Sequence, residues 1–305
     1  MKIGPGSEIS VQKKKVKIFK LCPHGLWCYP LEKHGYVVSL LKPGHIRRLT
    51  DSNYSHSCDF FSGLNQELVF VTVFSNIENE PACQISKLKG IGQSVDEIQF
   101  QSLGWILKPK KCEMPLPLPK LLQHQISSGD ILYSIMYPPR GLDESRKYPV
   151  VLHIYGGPDF QLVTNTFKVS FFKILQSLQV KFNHHFLHKK GGKCVRNYLL
   201  SSLGYVVISI DSRGSSNRGK AFESHIFKKL GQFEIKDQLE VLQMMSREMP
   251  FLDLTRVAIN GWSYGGYLAL RGIIDYPDIF KVRNPNQSLS LSDTDGKILK
   301  ISSMK

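Results

Sequence analysis

The residues in this chain best suited to chemistry are Gly261-Trp262-Ser263-Tyr264-Gly265, a G-x-S-x-G pattern. A serine hydroxyl acts as a nucleophile when it projects within reach of a base, and a tight strand-to-helix turn is one way to project it. Flanking glycines let neighbouring backbone pass without meeting a Cβ. A helix beginning just after the serine aims free N–H groups and the positive end of its dipole at developing negative charge. The Tyr264 N–H is then placed to be one oxyanion donor. Alone, five residues match by chance, so the flanks decide. Val257-Ala258-Ile259 reads as a buried strand running into Gly261, and Tyr267-Leu268-Ala269-Leu270 as the start of a helix leaving the turn. A nucleophile elbow needs that context.

Residues 126–282 supply the elements that would hold such a turn. Ile131–Tyr137, Tyr148–Tyr155 and Tyr205–Ile210 are near-continuous apolar runs that stop at Pro138-Pro139, Gly156-Gly157-Pro158 and Asp211. Ile235, Leu239, Leu242 and Met245 make one apolar helical stripe. Doubly apolar strands alternating with amphipathic helices predict a parallel sheet covered on both faces, an α/β fold. Between about residues 179 and 195 the chain has neither helical nor strand period, and this segment reads as an insertion. Residues 1–125 differ in texture. Tyr36–Leu41 and Ile46–Thr50 flank a Pro43-Gly44 turn, which predicts a hairpin, and Leu68–Phe74 is a further strand. Short strands separated by turns suggest antiparallel sheet, as in propeller blades. Pro115, Pro117 and Pro119 mark a linker before the α/β region.

Three motifs in fixed order carry a family likeness: Tyr155-Gly156-Gly157-Pro158, Asp211-Ser212-Arg213-Gly214-Ser215, and Gly261-Trp262-Ser263-Tyr264-Gly265-Gly266. Together they resemble the prolyl oligopeptidase family. The tryptophan in the elbow and the D-x-R-G-S loop are similar to its dipeptidyl peptidase subfamily, and Gln161-Leu162-Val163 and Gly231–Ile235 to the cytosolic 8/9 branch. The resemblance covers about residues 34–60 and 126–282 apart from the insertion. It implies an α/β hydrolase preceded by remnant blades of a β-propeller (residues 1–125), with a divergent polar tail (283–305). It also implies a serine peptidase that removes N-terminal Xaa-Pro or Xaa-Ala dipeptides through an acyl-enzyme, with no cofactor. Ser263 would be the nucleophile, the Tyr155 phenol the second oxyanion donor, and the Tyr264 ring a wall of the pocket for proline or alanine. Taken alone, Tyr155 reads first as a strand-end tyrosine reaching for water, and only the neighbouring elbow favours the oxyanion role. Gly261, Gly265, Gly266, Asp211, Arg213 and Gly214 would be structural, with Asp211 and Arg213 expected to pair.

In this hydrolase order the triad Asp and His follow the serine. No histidine follows Ser263 in the sequence, Asp275 and Asp278 come too early, and Asp293 and Asp295 lie in the polar tail. After Val282 no apolar strand is expected. Nothing before residue 34 matches the family's clamp for the substrate N-terminus. The chain is therefore expected to be truncated at both ends and nearly inert alone, and a homo- or heterodimer with a longer family member is an expected partnership.

Composition narrows the remaining classes. A hydrophobic fraction of 42% with 21% charged residues is that of a chain able to bury a core. Six cysteines over 305 residues are too sparse for a disulfide framework, which favours a reducing, cytoplasmic setting. The net charge of +15 raises a polyanion partner, but the excess sits in Lys13–Lys15, residues 181–196 and the tail, without a basic helical stripe. Neither nucleic acid nor membrane is expected. His184, His185, His188 and Cys194 include metal-ligand types but lack a scaffold, so no metal is expected. An esterase or acylaminoacyl-peptidase and a non-catalytic interaction fragment are the alternative readings.

Overall fold

A computed structural model describes residues 11–13, 16–21, 30–42, 44–62, 68–90, 95–111, 117–167, 197–198, 200–283, 290–292 and 298–300. The chain divides into two compact units, Met1–Met114 with Thr164–Phe167, and Pro115–Val163 with Lys168–Lys305. The segment read as an insertion and its histidines lie outside the described residues.

The first unit contains two four-stranded antiparallel sheets. One comprises β1 (Val11–Lys13), β2 (Val16–Leu21), β3 (His34–Ser39) and β4 (Ile46–Arg48), and the other β5 (Ser55–Ser62), β6 (Leu68–Ser75), β7 (Ala82–Lys89) and β8 (Gln99–Leu107). Spatial order equals chain order in both, because short connections can only join antiparallel neighbours. The Pro-Gly hairpin forms as expected: Val37 faces Arg47, the Ser39 N–H donates to the His45 carbonyl at 3.0 Å, and Gly44 takes φ +87°. β6 alternates buried Leu68, Phe70 and Thr72 with half-buried neighbours, as a one-faced strand must. Its core joins Val37, Cys58, Leu68, Phe70, Leu88, Val95 and Ile98.

The second unit is built on a six-stranded sheet. Its strands are β9 (Lys120–Gln125), β10 (Ile131–Tyr137), β11 (Tyr148–Ile154), β12 (Val206–Asp211), β13 (Leu252–Gly261) and β14 (Phe280–Arg283), in the order β14-β13-β11-β12-β10-β9. β14, β13, β11 and β12 run parallel, whereas β10 is antiparallel to both β12 and β9. The sheet is thus mixed rather than wholly parallel as expected. β9 and β10 are joined by a tight turn in which Ile126 and Asp130 bond and Gly129 takes φ +86°, and a hairpin fixes antiparallel direction. The hairpin also moves the boundary from 125/126 to Met114/Pro115, since Lys120–Gln125 pairs with β10. Its polar reading hid it: His124 is buried because its ring meets the Ser134 hydroxyl at 2.8 Å across the hairpin.

Three helices bear on the site: α1 (Lys220–Glu223), α2 (Glu234–Glu248) and α3 (Tyr264–Asp275). The predicted stripe Ile235, Leu239, Leu242 and Met245 is the buried side of α2, packed in one core with Leu152, Ile154, Ile208 and Ile259 of the sheet. The chain makes a further strand, β14, with Phe280 fully buried, so β13 is flanked on both sides. The tail also pairs β15 (Ser290–Ser292) with β16 (Ile298–Lys300). Three-residue strands are too short to display an alternating pattern. Among the described residues, no helix is long and apolar enough to cross a membrane.

Candidate active site

Ser263 sits where β13 ends and α3 begins, with φ 55° and ψ −123°, and it is exposed. That conformation is costly for any residue with a Cβ, on the order of 1–3 kcal/mol, and persists only where the surroundings enforce it. They do so here. The Gly265 N–H donates to the Trp262 carbonyl at 2.9 Å, and the Gly266 and Tyr267 N–H groups to the Ser263 carbonyl at 2.8 and 3.1 Å. A Cβ on Gly261 would strike the Gly265 carbonyl, and one on Gly265 the Ile154 carbonyl, so both glycines are demanded by close backbone approach. Gly266 contributes its N–H to the same turn. Tyr264 is the first residue of α3, where a backbone N–H lacks an intrahelical acceptor.

Tyr155 follows the last residue of β11, and Ile154 pairs directly with Gly261 on β13, which places Tyr155 at the same rim as the elbow. Its half-buried ring lies 4.4 Å from that of Phe160, centroid to centroid. Gly157 keeps two rings close: a Cβ there would come within 2.8 Å of the Tyr155 ring and 3.0 Å of the Tyr264 ring. The structure therefore brings Tyr155 and Tyr264 together beside the serine turn.

The structure corrects the pairing expected beneath them. Arg213 turns to Asp237 on α2, donating from its side chain at 2.7–3.1 Å and from its backbone N–H at 2.8 Å. Asp211 instead accepts the N–H groups of Leu162 and Val163 at 2.8 and 2.9 Å, which pins the loop after Tyr155. β12 ends at Asp211, so Arg213 lies in the loop beyond it, where the strand rule that puts residues i and i+2 on one face no longer holds. Burial pushes the Asp237 carboxyl up, opposed by the Arg213 hydrogen bonds and charge, and the Asp237 hydrogen bond raises the Arg213 guanidinium. Gly214 takes φ +91°, and a Cβ there would collide with Ile226. His153 is buried, with Nδ1 3.2 Å from the Asn260 carbonyl oxygen.

Sequence reasoning missed Glu234. It is fully buried at the start of α2 and accepts from the Tyr264 hydroxyl at 2.5 Å, the Gly231 N–H at 3.0 Å and the Phe233 N–H at 3.1 Å. Burial, then this hydrogen bond, push the Tyr264 phenol far above its usual range. In sequence, Glu234 reads only as an acidic residue opening a helix. Its site role depends on a partner 30 positions away. Among the described residues there is no cluster of three or more metal-ligand side chains.

Comparison with known proteins bears on the same residues. Residues 193–290 match the prolyl oligopeptidase family. Human dipeptidyl peptidase 8 is 40% identical over 267 residues, which is 83% of this chain and 25% of that protein. The chain belongs to the prolyl oligopeptidase family. The mouse dipeptidyl peptidase 8 is likewise 40% identical over 83% of this chain and 26% of its own length. The probable dipeptidyl-aminopeptidase B of Trichophyton verrucosum is 29% identical over 79% of this chain and 24% of its own. The chain thus spans about a quarter of the length of these relatives. Family membership makes the six-stranded unit an α/β hydrolase.

Proposed function

We propose that Ser263 is the nucleophile of a serine-type dipeptidyl peptidase acting on peptides with N-terminal Xaa-Pro or Xaa-Ala. The observation that carries this reading is the exposed serine held at φ 55° and ψ −123° between a parallel strand and a helix. Ser263 Oγ attacks the carbonyl carbon of the proline or alanine while its proton passes to the general base of the triad, which then acts as the general acid. The Tyr264 N–H and the Tyr155 phenol stabilise the oxyanion, the leaving amine takes a proton from the general acid, and water then hydrolyses the ester. Relatives named as dipeptidyl peptidases, aligned over most of the chain, support the substrate class. Two four-stranded antiparallel meanders support reading the first unit as blades of a propeller.

The acid and base of the triad are not among these 305 residues, since no histidine follows Ser263. Loss of the histidine from a triad lowers turnover on the order of a millionfold. The 305-residue chain alone is therefore nearly inert, and activity belongs to an assembly that includes a longer family member or further residues. The test is release of a chromophore from a Gly-Pro reporter by the purified chain. Brisk turnover abolished by Ser263→Ala would overthrow the missing-base reading and keep the nucleophile. Brisk turnover that survives Ser263→Ala would overthrow both.

A further inference from the structure

Glu234 has no part in the reaction scheme above, yet it is a fully buried acid one side chain away from the nucleophile's neighbour. A buried carboxylate is costly unless its oxygens are satisfied, and here they are. Two backbone N–H groups donate to its carboxyl at the first turn of α2, and the Tyr264 hydroxyl completes the set at 2.5 Å. A charge-assisted hydrogen bond at the far end of a tyrosine, with its backbone fixed by the elbow, leaves the ring no rotational freedom. That ring lies against Gly157 beside Tyr155, with Tyr267 at 5.6 Å on another side and Gly231 packed on the Tyr267 hydroxyl.

We propose that Glu234 is a positioning and specificity residue. Through the Tyr264 hydroxyl it fixes the aromatic wall next to Ser263, so that the pocket takes a flat five-membered ring before the scissile bond. The inference rests on the reading of Ser263 as a peptidase nucleophile. The carboxylate never touches substrate. It selects by holding the wall still, and a wall free to swing would lose discrimination for proline more than it would lose general peptide binding.

The test uses the 305-residue chain with carbon-13 at the tyrosine Cζ positions and a non-cleavable probe, glycyl-pyrrolidide, whose binding needs no catalytic base. Tyr264→Phe identifies the Tyr264 signal by its loss. Glu234→Gln keeps the shape and removes the charge. It is expected to shift that signal while the other tyrosines stay in place. Both variants are expected to weaken pyrrolidide binding about tenfold, and binding of the open-chain glycyl-dimethylamide less than twofold. Tyr264→Phe leaves the backbone bonds of Glu234 intact, so it carries the affinity test alone should Glu234→Gln not fold. Unchanged pyrrolidide affinity, or equal losses for both probes, overturns the proposal and leaves Ser263 as nucleophile. A wild-type chain that binds neither probe overturns this inference, while the peptidase reading stands or falls on the reporter assay with Ser263→Ala.

Discussion

Both units bury a network of polar side chains, and the two networks differ in what they support. In the antiparallel unit, His34 is fully buried, with Nε2 3.2 Å from Glu32 and Nδ1 3.1 Å from the Thr50 hydroxyl. Glu32 in turn accepts from Asn165 at 2.7 Å. Carboxylate, imidazole and hydroxyl in a row have the composition of a catalytic triad. But Thr50 is buried and also accepts the Gly35 N–H, so its hydroxyl is a tie and not a nucleophile. In the mixed-sheet unit Asp237 holds Arg213, and Glu234 holds Tyr264, whose chain neighbour is an exposed serine on a strained turn. Residue types alone do not mark a site. Exposure combined with enforced strain does.

The strongest way to break this contrast is to remove the charge partner of Arg213 on α2. Asp237 is almost fully buried and Arg213 largely so. Asp237→Ala leaves the guanidinium with the more distant Asp130 carboxylate, 3.8 Å away, and removing one member of a buried pair costs about 3–5 kcal/mol. The expected result is a large drop in the urea midpoint of the mixed-sheet unit, with amide exchange in β5 and β6 unchanged. A drop below about 1 kcal/mol would place this pair with ordinary surface bridges.

The antiparallel unit has a different weak point. Burial, outweighing the Asp51 carbonyl, lowers His56 from 6.5 to about 4, and His34 adds repulsion. The ring faces Thr72 and the Asp51 carbonyl, with His34, Tyr54 and Phe74 around it. The folded state holds it neutral and the unfolded state protonates it first. Stability is therefore complete above pH 6.5 and is lost as pH falls towards 4. Between pH 7 and pH 5 the loss is on the order of 2 kcal/mol. Amide exchange of β5 and β6 should accelerate over that window, and His56→Gln should flatten the dependence. A pH-independent exchange rate in the native chain would remove His56 as the cause.

Strain at Ser263 gives a smaller effect of opposite sign. Glycine adopts positive φ without a Cβ clash, so Ser263→Gly should stabilise the mixed-sheet unit by roughly 1 kcal/mol, while Ser263→Ala should not. Equal stability of the two variants would mean that the turn is not strained by its Cβ.

These contrasts also explain what could be read from the sequence. β6, β10, β11 and β12, the stripe on α2 and the strand-turn-helix around Ser263 all carry a period or punctuation within ten or fifteen residues. Local pattern suffices for such elements. β7 and β8 were missed because Cys83-Gln84-Ile85-Ser86 and the Gln-rich start of β8 present few apolar residues, and pairing alone makes them strands. The direction of β10 was missed because a doubly buried strand looks the same either way. The Arg213 partner and the role of Glu234 depend on α2 meeting the two loops, which no local pattern encodes.

The smallest expected effect sets the scale for the largest. Arg271 and Asp275 on α3 form a second ion pair at 2.8 Å, one turn apart and substantially exposed. Water and salt screen such a pair, and two long side chains lose freedom to make it, so it contributes about 0.3–0.5 kcal/mol. Asp275 also closes the C-terminal end of the helix, where a negative charge meets the negative end of the dipole. The two effects oppose, so Asp275→Asn should move the urea midpoint by less than the error of most measurements, and 1 M salt should erase what remains. Nearly equal distances, 2.8 and 2.7 Å, yield about a tenfold smaller stability effect on the outside of α3 than at the Arg213–Asp237 pair, because that pair is the more deeply buried. A shift for Asp275→Asn comparable to that of Asp237→Ala would show that distance, not burial, governs ion pairs in this unit.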